Sequence, residues 1–147
     1  MIIAEASIKD LQGIVTLFEA YRTFYSKKPD YNGSTLFLKD RLTNKDSVIY
    51  LAWNDSDELV GFTQLYPSFS STRLQKMWIF NDLYVDKSFR GQKISLKLID
   101  KAKELTIQTK ACGLMLETEK DNLIANKLYL RSEFELEKNN FYFWSPK

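Results

Sequence analysis

Histidine is absent from this sequence, and Cys112 is the only cysteine among 147 residues. The first absence removes imidazole general bases, Ser-His triads and His-based metal sites together; the second excludes a disulfide within the chain. Proton transfer falls to carboxylates, tyrosine, lysine or water. An excess of either charge is also missing. With 21 Lys+Arg against 19 Asp+Glu the net charge is +2, which gives no electrostatic case for nucleic acid or an anionic membrane surface. No apolar run approaches the ~20 residues of a bilayer-crossing helix, and AEASIKD near Met1 is polar where a secretory signal has its apolar core. There are no internal repeats, low-complexity tracts or linkers. The expectation is one soluble, cytoplasmic domain over residues 1–147, needing no metal.

What is present alternates between strand and helix patterns. Met1 to Ala4 is a short apolar stretch suited to a first strand. Ser7 offers an N-cap with Asp10 three residues on, and Leu11, Ile14, Val15, Phe18 and Tyr21 follow at the spacing of one helical face. Pro29, Asn32 and Gly33 break that helix, and Ser34 is positioned to cap a shorter one to about Leu42. SVIYLAW, from Ser47 to Trp53, is β-branched and aromatic; NDSDE is a polar turn; LVGFTQLYP is the return strand, ending at Pro67. SFSSTR reads as a loop. KMWIFNDLYV, Lys76 to Val85, is nearly continuous in apolar character and predicts a central strand buried on both faces. A further strand is expected over Gly113 to Glu119, a helix from about Asn122 to Arg131, and a closing hairpin in the aromatic tail FYFWS. The order is that of a mixed α/β domain.

Between the buried strand and the next helix lies SFRGQKIS. Arg90 and Gly91 stand at the mouth of a helix whose face is Ile94, Leu98, Ala102 and Leu105. The first amides of a helix lack intrahelical acceptors and the aligned dipoles add partial positive charge, so such a mouth suits phosphate. Arg90 adds a forked, permanent cation. The same pattern also fits a plain solvated helix start.

DNLIANKLYLRSEF, thirty residues on, separates these readings. Together with the loop it resembles the GCN5-related N-acetyltransferase (GNAT) superfamily. The acetyl-CoA loop of that family is written [RQ]-x-x-G-x-[GA], and its later helix carries N-x-x-A-x-x-L-Y-x-x-x-G-F. The later motif is matched at Asn122, Ala125, Leu128, Tyr129 and Phe134; the loop reads R-G-Q-K-I-S. Lys93 replaces the most characteristic glycine and Ser95 the glycine-or-alanine position. Either Lys93 leaves the loop sideways and offers its ammonium to a phosphate, or it obstructs the site.

The resemblance implies a GNAT acyl-CoA N-acyltransferase fold: a mixed, mostly antiparallel sheet of about six to seven strands flanked by about four helices. It implies acetyl-CoA bound along Leu83, Tyr84 and Val85, where that strand splays from Leu114 to Glu117, and around Arg90, Gly91, Gln92, Lys93, Ile94, Ser95 and Asn122. Tyr129 matches the tyrosine that protonates the departing thiolate, and a phenol, with a reference pKa of about 10, is a usable acid at neutral pH. In polyamine-acetylating relatives a Glu-Asp pair precedes the strand's end; here the pair is Asn81 then Asp82. Asn81 cannot take a proton, and strand alternation sends Asp82 to the opposite face. Both stay catalytic candidates, with a water chain or a structural Asp82 as alternatives. The regions bordering the acceptor cleft in the family hold Tyr21, Phe24, Tyr25, Tyr66 and Phe69, rings suited to an alkylammonium, with Glu19 as a charge partner; packing is the other role open to them. The function implied is acetyl transfer from acetyl-CoA to a primary amine of a small molecule or peptide, by direct attack in a ternary complex. The alternative is a catalytically weak acyl-CoA-binding or interaction module. A homodimer is a candidate assembly.

Overall fold

The first helix begins where its sequence signal places it. The Ser7 N–H donates to Asp10 Oδ2 at 2.8 Å, a short 3-10 turn covers Ile8–Asp10, and α1 runs from Leu11 to Phe24. The computed structural model describes all of residues 1–147, in two compact units, Met1–Glu117 and Thr118–Lys147.

In the first unit, β1 (Ile2–Glu5), β2 (Val48–Trp53), β3 (Leu59–Ser70) and β4 (Gln75–Val85) form an antiparallel meander in sequence order, and β5 (Leu114–Met115) joins β4 in parallel. The sheet has five strands, fewer than the six or seven expected. Helix α2 (Tyr31–Asn44) follows α1, and α3 (Ile94–Gln108) lies between β4 and β5. Successive residues of β3 show how the layers stack. Phe62 joins the α1–α2 core with Ile14, Val15, Leu17 and Leu38. Its neighbour Gly61 faces the other way: a Cβ there would lie 3.5 Å from Ile94 of α3 and 3.0 Å from the Tyr84 carbonyl oxygen. Alternation along the strand therefore puts α1 and α2 on one face and α3 on the other. No helix is long and apolar enough to cross a membrane.

Several local expectations shift. Asp30, not Ser34, caps α2, accepting from the Gly33 N–H at 2.9 Å. Asn32 and Gly33 thus sit in the first turn, where the amides need an outside acceptor and breaking residues do little harm. Strand β3 continues through Pro67 to Ser70, so Ser68 to Ser70 are strand rather than loop. The register of β2 stops at Val48 opposite Leu65, leaving Pro67 with a neighbour on one side only, a place where a missing N–H is tolerated. Burial along β4 is interrupted, since only Trp78 and Ile79 have β5 as a neighbour.

In the second unit α4 spans Leu123–Arg131. The tail forms no strand: Phe141, Tyr142, Phe143 and Trp144 are exposed. Aromatic content favours a pleated surface only once a partner strand supplies the ladder.

Candidate active site

The ladder between β3 and β4 contains one extra residue. Gln64 stands opposite Asp82 and Leu65 opposite Phe80, so Asn81 is a bulge without a cross-strand partner. The bulge overturns the alternation expected for Asn81 and Asp82. Their side chains meet, Asn81 Nδ2 donating to Asp82 Oδ1 at 3.2 Å, although Asn81 is exposed and Asp82 only 5% so. The Asp82 carbonyl is taken by the buried Thr63 hydroxyl at 2.7 Å.

The Asp82 carboxyl also accepts from Gln64 Nε2 at 2.9 Å and from the Tyr21 hydroxyl. Burial raises its pKa above the usual carboxylate range, against the lowering effect of Gln64, Tyr21 and Asn81, so burial dominates. Half-buried Tyr66, on β3 opposite Ile79, is close enough to feel that charge; burial, then Asp82, push its phenol well above the ordinary range, with Arg41 opposing. A carboxyl in this setting suits general-base chemistry. Gln64 carries no signal of this in the sequence, where it is one polar residue in an apolar run; its partner is 18 residues away.

Aromatic rings extend from this carboxyl to the loop. Tyr21 packs on Tyr84 at 6.1 Å and on Tyr25 at 5.1 Å, and Tyr25 on Phe24 at 5.2 Å. The Arg90 guanidinium lies 5.6 Å from both the Phe24 and Tyr84 ring centres, and its Nε donates to the Val85 carbonyl at 3.0 Å. Phe24 is therefore engaged with the loop's arginine, and Tyr84 faces the α1 side while its backbone belongs to the β4 edge.

Beyond Ile79 no strand pairs with β4 on the side away from β3. The divergence from β5 thus begins at Phe80, earlier than expected, and Leu83 to Val85 lie on the open stretch. A 3-10 turn, Lys87–Phe89, capped by Asp86 Oδ1 accepting from the Ser88 N–H at 2.8 Å, leads into Arg90. Gly91 has φ +81°, and nothing lies within 4 Å of where its Cβ would be. Lys93, exposed and N-terminal to α3, is left-handed with φ 61° and ψ 21° and makes no side-chain cap. The glycine at this position in the family loop is thus explained by a left-handed backbone. Ile94 is buried and anchors the turn, so it offers a phosphate only its backbone N–H; Gln92 is exposed and Ser95 half-buried.

Two acceptor-side candidates fall elsewhere. Glu19 is buried, its Oε1 accepting from the Asp30 N–H at 2.8 Å and the Ser34 hydroxyl at 2.9 Å, its Oε2 pairing with Arg22 at 3.1 Å. It clamps the α1–α2 connection. Phe69 lies on β3 opposite Lys76, not in a loop, and is 76% exposed. Five residues from Gln64, it is about 17 Å along the strand from the bulge.

Within the second unit, Asn122 Oδ1 caps α4 by accepting from the Ala125 N–H at 3.2 Å, which accounts for the asparagine-to-alanine spacing of the motif. The Tyr129 and Phe134 rings pack edge to face at 5.8 Å, and the Tyr129 carbonyl accepts from the Phe134 N–H at 3.0 Å.

The model of the Acetyltransferase (GNAT) family matches residues 14–134. The chain belongs to this family. As a GNAT acetyltransferase it is similar to the uncharacterized N-acetyltransferase YhfO of Bacillus subtilis (strain 168), with 40% identity over 92% of this chain and 90% of that one. A probable acetyltransferase of Haemophilus influenzae (strain ATCC 51907 / DSM 11121 / KW20 / Rd) is 31% identical over 74% of each chain. A crystal structure of a probable acetyltransferase superposes with TM-score 0.94 at 38% identity, covering 100% of this GNAT chain and 98% of its own.

Proposed function

We propose that this GNAT enzyme transfers an acetyl group from acetyl-CoA to a primary amine of a small molecule or peptide, by direct attack within a ternary complex. The observation that carries this reading is the stretch of β4 from Asn81 to Val85, where no strand pairs on the side away from β3, continuing into a turn with two left-handed residues and an uncapped helix start. Chain with this geometry fits acetyl-CoA. Amides and carbonyls of an unpaired strand edge suit the pantetheine arm, and the open space over Gly91 and the first α3 amides suit a pyrophosphate. Arg90 supplies charge there, and Lys93 supplies a second cation.

Bound there, acetyl-CoA supplies an activated acyl group as a thioester. Asp82 is the residue this reading assigns to take the amine's proton, with exposed Asn81 as a polar contact for the acceptor. The rings of Tyr21, Tyr25 and Tyr66 near it suit an alkylammonium before deprotonation. Tyr129, on the strength of its sequence motif, is assigned as the acid for the departing thiolate. Calorimetry with acetyl-CoA, followed by coenzyme A release across a panel of primary amines and N-terminal peptides, tests the reading. Saturable binding and amine-dependent release are expected; no binding would overturn it in favour of an interaction module.

A further inference from the structure

Gln64 is fully buried, and its two amide atoms are treated differently. Nε2 donates to Asp82 Oδ2 at 2.9 Å, whereas Oε1 meets no donor. A buried oxygen left unsatisfied calls for a physical reason, and the carboxyl beside it supplies one. Ionised, Asp82 needs donors; protonated, it carries an O–H that needs an acceptor. A primary amide offers one of each. Turned about its terminal bond, Gln64 presents Oε1 where Nε2 now stands, and so serves the acid too, though less strongly than the carboxylate, whose hydrogen bond is charge-assisted.

We propose that Gln64 is a positioning residue for acyl transfer, holding Asp82 in place in both of its protonation states. This rests on the reading of Asp82 as the base. In the step concerned, the amine nitrogen forms its bond to the acyl carbon and the C–S bond breaks with its electron pair on sulfur. The proton leaving nitrogen goes to Asp82 Oδ2, the thiolate is protonated separately, and Asp82 afterwards returns its proton to water. The groups facing Asp82 are Tyr21 of α1, Gln64 and Tyr66 of β3, and Asn81 of β4; Arg41 of α2 and Asp46 act on Tyr66. Of the three donors that oppose the effect of burial on Asp82, Gln64 is the strongest, so its removal has a defined sign.

The test uses Gln64→Met, close in shape and without hydrogen-bonding atoms. Carbon-13 NMR of the aspartate carboxyls in the free protein, with Asp82 assigned from the Asp82→Asn variant, reads the titration directly. The pH dependence of kcat/KM for coenzyme A release reads its consequence. The expected result is an Asp82 midpoint about one pH unit higher than in wild type, with the acid limb of kcat/KM moving alongside it. The dissociation constant for acetyl-CoA should stay within about twofold. An unmoved midpoint in a folded Gln64→Met protein, with Asp82→Asn inactive, overturns the positioning role alone. Wild-type turnover in Asp82→Asn overturns the base reading and this inference with it. Should Gln64→Met fail to fold, Gln64→Glu replaces it: two coupled carboxyls titrating in two separated steps support the contact, and an independent single-step Asp82 overturns it.

Discussion

Replacing Lys93 with glycine should stabilise the protein while weakening its hold on acetyl-CoA. The stability part comes from the backbone. At φ 61° and ψ 21° a residue with a Cβ is strained by about 1–2 kcal/mol, while glycine loses about 0.5–1 kcal/mol more chain entropy on folding. The difference favours glycine by about 0.5–1 kcal/mol, which for a chain of this length raises Tm by about 1–4 °C. Were Lys93 inside the helix, the same change would be destabilising. Alanine keeps the Cβ and the strain, so Lys93→Ala should leave Tm within about 1 °C of wild type. The affinity part comes from the ammonium, which both variants remove. If it attracts a phosphate, both should bind acetyl-CoA more weakly by a similar factor, and the deficit should shrink with added salt, since the Debye length is about 10 Å at 0.1 M. Lys45→Gly, at the left-handed C-cap of α2, is the control: similar backbone relief with no change in affinity. Scanning calorimetry and isothermal titration on the four proteins suffice. Tighter binding in both Lys93 variants would show that the lysine obstructs, and a lower Tm in Lys93→Gly would refute the backbone account.

Arg90→Ala should weaken acetyl-CoA binding by about 1–3 kcal/mol in titration calorimetry, losing a charge-assisted contact and the tie to the Val85 carbonyl together. Tyr129→Phe should slow coenzyme A release while leaving acetyl-CoA affinity nearly intact, because the ring stays and only the phenolic proton goes. Asp82→Asn should be more stable than wild type at pH 7 to 8. Its raised folded pKa means the carboxylate is destabilising as pH rises through that value and neutral below the unfolded value of about 3.9, so the mutant's advantage in urea melts should vanish near pH 3 to 4. Glu19→Ala should lower stability by about 2–4 kcal/mol in urea melts by stranding the Asp30 amide and Ser34 hydroxyl, whereas Glu19→Gln, which keeps an acceptor, should lose much less.

The elements carried by periodicity were readable in the sequence. Helix α1 follows from Ser7, Asp10 and the spacing of Leu11 to Tyr21, and the β2–β3 hairpin from a polar turn between aromatic runs. Asp30 was missed as a cap because Asn32 and Gly33 read as breakers, though their position relative to the helix start decides their effect. Strand β3 read as ending at Pro67 because the sequence does not show where the neighbouring strand stops. In the site, Arg90, Gly91 and Lys93 were visible as a loop signature, but the left-handed φ of Lys93 is a property of the folded chain. Gln64 was invisible because an amide in an apolar strand acquires a role only from the carboxyl opposite it.

The bulge at Asn81 also explains why Asp82 can sit among the α1 rings at all. Cross-strand partners share a face of the sheet, so Phe80 lies on the face of Leu65, and Asp82 lies on the face of Gln64. Leu65 and Gln64 are adjacent on β3 and point opposite ways. Phe80 and Asp82 therefore point opposite ways too, although they are two apart in sequence and unbroken alternation would put them on the same face. Without the extra residue, either Phe80 would leave the core it shares with Leu65, or Asp82 would enter that core with no Gln64 and no Tyr21 to receive it. One inserted asparagine keeps an apolar anchor on one face and delivers a hydrogen-bonded carboxyl to the other. It does so at the level where β5 has ceased to pair and the β4 backbone becomes open. The buried acid and the strand edge left without a β5 partner thus occur at the same point along one strand, which is the arrangement that the proposed transfer from a strand-bound acyl donor to an amine would need.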